Sequence, residues 1–234
     1  MKRTIAITLL GVFMPLVSFA RVLTPLSIAF MREYTQNGEK ETVSGMVYCQ
    51  PPDKIFLRVT SPVNQWMVFE GKVTTIYYPA DTQAFIITSR FSSYPPFVQG
   101  FLGAAEKDYG LSGLGYTLRD YEVQGDTLLS YWVPPKALSR FMGETILKIR
   151  DDKIIHTESK SARGKTLRRS ANKIHALWNG TYFPMEIVTT EYYSATDSTL
   201  EKGVFSDPNF NPALPEEVVN FQIPPDAKVK EVRW

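Results

Sequence analysis

Along most of this chain apolar and polar positions alternate with a period of two, the signature of strands with one buried face. Ile55, Leu57 and Val59 fall on one side of a run whose other side carries Phe56 and Arg58. Trp66 and Val68 oppose Met67 and Phe69 in the same way. The pattern predicts further strands over 27–34, 42–49, 73–78, 84–89, 116–123, 127–133, 144–149, 154–160, 167–176, 185–193 and 201–205, with a short one at 220–223. Between them lie turn formers: Asn37-Gly38, Glu70-Gly71, Gln124-Gly125-Asp126, Asp151-Asp152, Arg163-Gly164 and Asn179-Gly180. Strands joined this tightly must run antiparallel, because a parallel pair needs a long crossover. The chain therefore reads as an antiparallel meander in one domain, with no internal repeat and no linker.

Two segments break the alternation. After Pro95-Pro96, the residues Phe97, Val98, Phe101, Leu102 and Ala105 are apolar at helical spacing, and Gly110 follows. Pro at the start and Gly beyond the end are ordinary helix punctuation. The second break, 134–143, places Leu138, Phe141 and Met142 on one side of a predicted helix of about two turns. Two such segments in a sheet protein predict a cover over one sheet face. The glycines at 100, 103, 110, 113 and 115 read as a flexible exit from the first helix.

The first twenty residues read as a cleavable export leader. Lys2-Arg3 precedes an apolar run from Ile5 to Val17, and Ser18-Phe19-Ala20 offers small residues for cleavage. The apolar run falls short of the roughly 20 residues that a membrane-spanning helix needs. No Cys follows Ala20, so the mature chain, 21–234, is expected to be exported and soluble, without a lipid anchor. Lys2 and Arg3 are the only charges in the leader; the rest carries 24 basic and 24 acidic side chains. Zero net charge argues against nucleic acid as a partner, since phosphate neutralisation needs a basic excess. The most basic stretch, 163–173, reads as the solvated face of a hairpin. Cys49 alone can form no internal disulfide and reads as a buried apolar residue.

No chemistry emerges from the motifs. His156 and His175 have no companions at metal-ligand spacing, and no nucleophile elbow or phosphate-binding Gly-rich loop is present. The expectation is a protein without catalysis, metal or cofactor.

Gly45-Met-Val-Tyr-Cys-Gln-Pro-Pro52 runs on through Leu57-Arg58-Val59-Thr60-Ser61-Pro62 to Glu70-Gly71-Lys72 and Tyr77-Tyr78-Pro79. Val133-Pro134-Pro135-Lys136-Ala137 follows, then Thr145-Ile146, the 150–154 hairpin, and an apolar stretch from Val219 to Ile223 closing on Pro224-Pro225. In this order the segments resemble the LolA-like family of periplasmic outer-membrane lipoprotein carriers, over roughly 45–229. The resemblance implies a mainly β fold: one strongly curved antiparallel sheet forming an incomplete barrel, with a few short helices as a lid over its apolar concave face. It implies a monomeric periplasmic protein that shields the acyl chains of a lipoprotein or other acyl lipid and exchanges it with inner- and outer-membrane partners. Two departures stand out. Pro51 occupies the place of an Arg that the family ties to cargo holding and release, with Arg58 the nearest one along. Little chain precedes the first strand, where the carriers have a long helix.

The implied lipid-binding residues are Ile55, Leu57, Val59, Trp66 and Val68 on the sheet, capped by Phe97, Phe101, Leu102, Leu138, Phe141 and Met142. The opposite face, with Phe56, Met67 and Phe69, is the alternative, because a slip of one residue exchanges the faces. The same architecture also resembles sensor domains of the RseB type, which bind a partner protein. Under that reading the exposed basic hairpin near Arg168-Arg169 and the last strand are interaction surfaces.

Overall fold

The computed structural model describes residues 25–51, 53–89, 94–194 and 197–233. The expected leader, 1–20, lies outside them. The chain builds two meanders. The first comprises β1 (Leu26–Gln36), β2 (Glu39–Gln50), β3 (Lys54–Ser61), β4 (Gln65–Glu70), β5 (Val73–Tyr78) and β6 (Gln83–Thr88). The second comprises β7 (Thr117–Gln124), β8 (Thr127–Val133), β9 (Met142–Arg150), β10 (Lys153–Ser161), β11 (Thr166–Trp178), β12 (Thr181–Tyr192) and β13 (Ser198–Phe210). Helix α1 (Pro96–Gly103) lies in the connection between them, and α2 (Glu216–Val219) and β14 (Lys228–Arg233) follow the second.

The meanders fuse because β1 pairs antiparallel with β13, from Leu26↔Phe210 to Thr35↔Leu200. One 14-stranded sheet results, in the order β14-β6-β5-β4-β3-β2-β1-β13-β12-β11-β10-β9-β8-β7. It does not close into a barrel. Consecutive strands are antiparallel, as the tight turns require. Asn37-Gly38 and Asn179-Gly180 both take left-handed backbone at their two turn positions, and Asp151-Asp152 does the same. This matches the twist of a two-residue hairpin.

Three expectations are corrected. Residues 134–143 form no helix: 136–141 are overlapping turns and β9 already begins at Met142, with Leu138 and Ser139 N–H donating to Pro135 O, and Phe141 and Met142 N–H to Leu138 O. A two-turn helix would advance about 10 Å, whereas the ends of β8 and β9 are hydrogen-bonded neighbours. Residues 220–223 are not a strand; they follow α2, and Phe221 packs on the sheet face instead of joining its edge. The closing strand comes after Pro224-Pro225, as β14, and pairs parallel with β6. That parallel pair is possible because its connection is long.

The sheet curves around α1. Tyr94 and α1 make ring contacts with Phe69 on β4, Phe30 on β1, Phe205 on β13 and Phe183 on β12. Those strands span five sheet spacings, about 24 Å if flat, against about 12 Å for the eight residues of α1. Only a concave face brings them all to one short segment.

Gly45 on β2 is fixed by the neighbouring strand: a Cβ there would lie 1.9 Å from the Arg58 carbonyl oxygen. Overpacking against backbone costs about 1–3 kcal/mol. Gly45→Ala is therefore expected to lower the melting temperature by about 2–12 °C, measured by circular dichroism. An unchanged melting curve would contradict the register of β2 on β3.

Candidate functional site

The concave face carries one large apolar cluster. Leu26, Ile28 and Phe30 of β1 join Val47 and Cys49 of β2, Ile55, Leu57 and Val59 of β3, and Met67 and Phe69 of β4. Phe183, Ile187 and Phe205 enter from the second meander, and Tyr94, Phe97, Val98, Phe101 and Leu102 cover them all. Phe101 touches Phe205 and Phe183 at ring distances of 4.6 and 5.3 Å, and Trp178 stacks on Phe210 at 4.4 Å.

What holds α1 is this packing and little else. The helix has eight residues, includes Gly100 and Gly103, and has no side-chain cap. An isolated helix shorter than about 12 residues is marginal in water. Each large side chain it buries contributes about 1.5–3 kcal/mol. Its glycines have a local purpose. Cβ atoms at Gly100 and Gly103 would come within 3.3 Å of the Tyr109 hydroxyl and carbonyl oxygens. They let Tyr109 fold back flat on the helix, so the segment read as a flexible exit is a packed continuation of the cover. Tyr109 sits in the left-handed region (φ 59°), and Asp108 accepts hydrogen bonds from the N–H groups of Gly110 and Ser112.

The expected site residues divide. Residues directly opposite on paired strands share a face, and β3 pairs with β4 as Ile55↔Phe69, Phe56↔Val68, Leu57↔Met67 and Arg58↔Trp66. Ile55, Leu57 and Val59 thus face α1, but together with Met67 and Phe69. Trp66 and Val68 lie on the convex face with Phe56, beneath Val218 and Phe221 of the C-terminal segment. Alternation alone could not reveal this, because both faces of β3 and β4 are buried. Phe97, Phe101 and Leu102 are in the concave cluster. Leu138 packs instead with Leu111, Tyr116 and Leu147 farther along the sheet. Met142 is buried at the start of β9, and Phe141 is 73% exposed. Arg58 also points away from α1, stacked over Trp66 and 3.6 Å from Glu217. Arg168 and Arg169 face opposite sides: Arg168 pairs with Glu191 and Arg169 with Glu158. They form no joint basic patch.

Sequence reasoning missed a polar half of the concave face. Two registered rows cross the second meander: Thr145, Ser159, Arg168, Glu191 and Thr199, and beside it Leu147, Thr157, Ser170, Thr189 and Glu201. Thr189 lies two positions from Ile187 on β12, which fixes these rows on the side of α1. The hydroxyls of Thr145, Thr157, Ser170, Thr189 and Thr199 belong to buried residues. Ser170 and Thr189 are hydrogen-bonded at 2.9 Å. Arg32 marks the border between the halves: it donates to Glu201 at 2.7 Å and sits over the Phe97 ring of α1. The cover changes character at the same border, where Tyr109 comes up against Arg168 and Thr157 of the polar rows. Burial pushes the Tyr109 phenol up, while Arg168 and Thr157 pull it down. The one available signal was the run of Ser and Thr at alternate positions, which reads equally as a solvent face.

Burial lowers both His156 and His175 from the ordinary histidine value. Among the described residues no group of three His, Cys, Asp or Glu side chains is placed to hold a metal.

Two experiments probe this site. Phe101→Ala is expected to cost about 3–5 kcal/mol in urea unfolding; Phe141→Ser should stay within about 0.5 kcal/mol. Equal effects would mean that α1 is not seated on the face. Burial also pushes the Cys49 thiol up to about 12 from 9.0. An unfolded chain gives up that proton above pH 9 and the folded one does not. The stabilisation is whole below pH 9.0 and is lost as pH rises towards 12, at most about 1.4 kcal/mol per pH unit. The urea midpoint should fall over this range and a Cys49→Ala variant should fall less. A thiol reagent at pH 8 should modify Cys49 only after unfolding.

No protein-family model matches the sequence, and no curated protein does. Solved structures do match. A domain described as an outer membrane lipoprotein-sorting protein, from Vibrio parahaemolyticus, superposes with a TM-score of 0.60 at 14% identity, over 83% of this chain and 88% of that one. A LolA superfamily protein from Nitrosomonas europaea gives 0.57 at 12% identity, over 83% and 89%. A DUF1329 family protein from Desulfovibrio piger gives 0.57 at 12%, over 83% and 88%. The open curved sheet has the LolA-like fold.

Proposed function

We propose that this chain is a periplasmic lipid-binding protein that takes up the acyl chains of a lipoprotein or other acyl lipid, without catalysis. The observation that carries the reading is the cover: an apolar concave face is sealed by an uncapped eight-residue helix instead of by closure of the sheet. Such a helix can be displaced without breaking a strand pair. Acyl methylenes can then replace its side chains at about 0.8 kcal/mol each. The contacts would be Ile55, Leu57 and Val59 on the sheet with Phe97, Phe101 and Leu102 on the cover. Trp66 and Val68 have no part in it, and Phe141 is free to meet a membrane or a membrane partner. In this reading residues 1–20 direct export and are removed, and 21–234 work as a monomer.

Tryptophan emission tests the reading. In W66F/W132F/W234F the only tryptophan left is Trp178, in the concave cluster; in W132F/W178F/W234F it is Trp66, on the convex face. Brominated oleate is expected to quench Trp178 strongly and saturably and to leave Trp66 nearly unchanged. Absence of saturable quenching of Trp178 would remove the acyl-chain reading. It would favour the second one, a partner-binding module, for which β7 offers a free edge with Leu118, Tyr121 and Val123 exposed.

A further inference from the structure

We propose that the polar half of the concave face is a head-group subsite, and that the lipid it takes carries a zwitterionic head of the phosphoethanolamine class. This rests on the acyl-chain reading above and extends it to the other end of the ligand.

The cover itself indicates what the face accepts. Residues 96–109 lie on it as an amphiphile would, with the apolar side chains of α1 over the apolar cluster and the Tyr109 ring beside Thr157, before Leu111 and Tyr116 return to an apolar contact with Leu147. Tyr109 holds this position in the left-handed backbone region, a conformation that costs a bulky residue about 1 kcal/mol or more. Where 96–109 lifts away as a unit, tail and head positions open together.

The charges define the head. Arg32 with Glu201 and Arg168 with Glu191 bring two cations and two anions to the polar rows, with no net charge. A purely anionic head would meet Glu191 and Glu201, and a purely cationic one would meet the arginines. A head with both signs matches both. The hydrogen-bonding capacity left over agrees. The Nε of Arg32 and the Oδ1 of Asn172 are buried without a hydrogen-bond partner, although Asn172 Nδ2 donates to the Ile154 carbonyl at 2.9 Å; the Nε of Arg168 also lacks one, with Glu191 Oε1 facing it at 3.7 Å. Buried polar atoms left unpaired cost about 1–3 kcal/mol each. Asn172 lies beside Ile187 of the apolar cluster, and Arg32 beside Phe97, so two of these atoms stand where tail and head would join. Phosphate oxygens can accept from the arginine Nε groups, and an ammonium can donate to Glu191 or Glu201.

The test uses the full mature chain and three probes with the same acyl chain: dioleoylphosphatidylethanolamine, dioleoylphosphatidylglycerol and free oleate. Native mass spectrometry and competition against brominated oleate read the binding. The expected result is that the ethanolamine lipid binds at least about tenfold more tightly than the glycerol lipid. In Arg168→Met, compared where circular dichroism shows the variant folded, that preference should shrink to about threefold or less; a preference that stays at about tenfold overturns the subsite. Equal binding of the two phospholipids by the unaltered protein overturns the subsite. Binding of oleate with rejection of both phospholipids overturns it too, while leaving the acyl-chain reading in place. Failure of all three probes removes both.

Discussion

Everything in this molecule depends on the pairing of β1 with β13. Each meander alone is a ribbon of sequential hairpins with one apolar margin, and the concave cluster exists only when the two margins meet. Phe30 of β1 stands opposite Phe205 of β13, and the ring of Phe97 bridges them. The Arg32–Glu201 ion pair crosses the same seam, between residues 169 apart in sequence. Half-buried ion pairs offer little net stability; the seam is held by its ladder and its aromatic rings, and the ion pair fixes where the apolar region stops.

The open sheet makes its concave face an unfinished interior. A closed barrel of this size would enclose the face permanently. Here α1 and the loop behind it complete the interior with side chains matched position by position to the sheet, apolar on apolar and hydroxyl on hydroxyl. The match is made by packing and not by backbone pairing, and it is therefore the separable part of the fold. On the convex side the C-terminal segment covers Phe56, Trp66 and Val68 with Val218 and Phe221, and it is anchored differently. Lys54 bonds the Val219 carbonyl, and β14 pairs with β6 along its whole length.

The strands were legible in the sequence because turn chemistry and alternation agree: Val73–Tyr78 and Thr127–Val133 have the bounds that the pattern predicts. The sidedness of β3 and β4 was not legible. Phe56 and Leu57 are both buried, and alternation between two apolar faces carries no information about which one meets α1. The segment 134–143 misled because Leu138, Phe141 and Met142 have helical spacing, while the short span between paired strands enforces turns. The polar half of the site stayed hidden for a different reason. Thr157, Ser170 and Thr189 look like solvent-facing residues in the sequence, yet all three are buried, and Tyr109, held against the helix glycines in a left-handed backbone, lies beside Thr157.

The parallel pairing of β14 on β6 reaches past its own place in the sheet. The last strand of the chain completes the outer edge of the first meander, and the segment leading to it shields that meander's convex aromatics. The N-terminal half therefore cannot finish folding until the C-terminus has emerged. Contacts of such sequence separation form late and slowly. Synthesis from the N-terminal side keeps Trp66 and Phe56 uncovered until residues 218–233 have been made, so the first meander completes its packing only after the second exists.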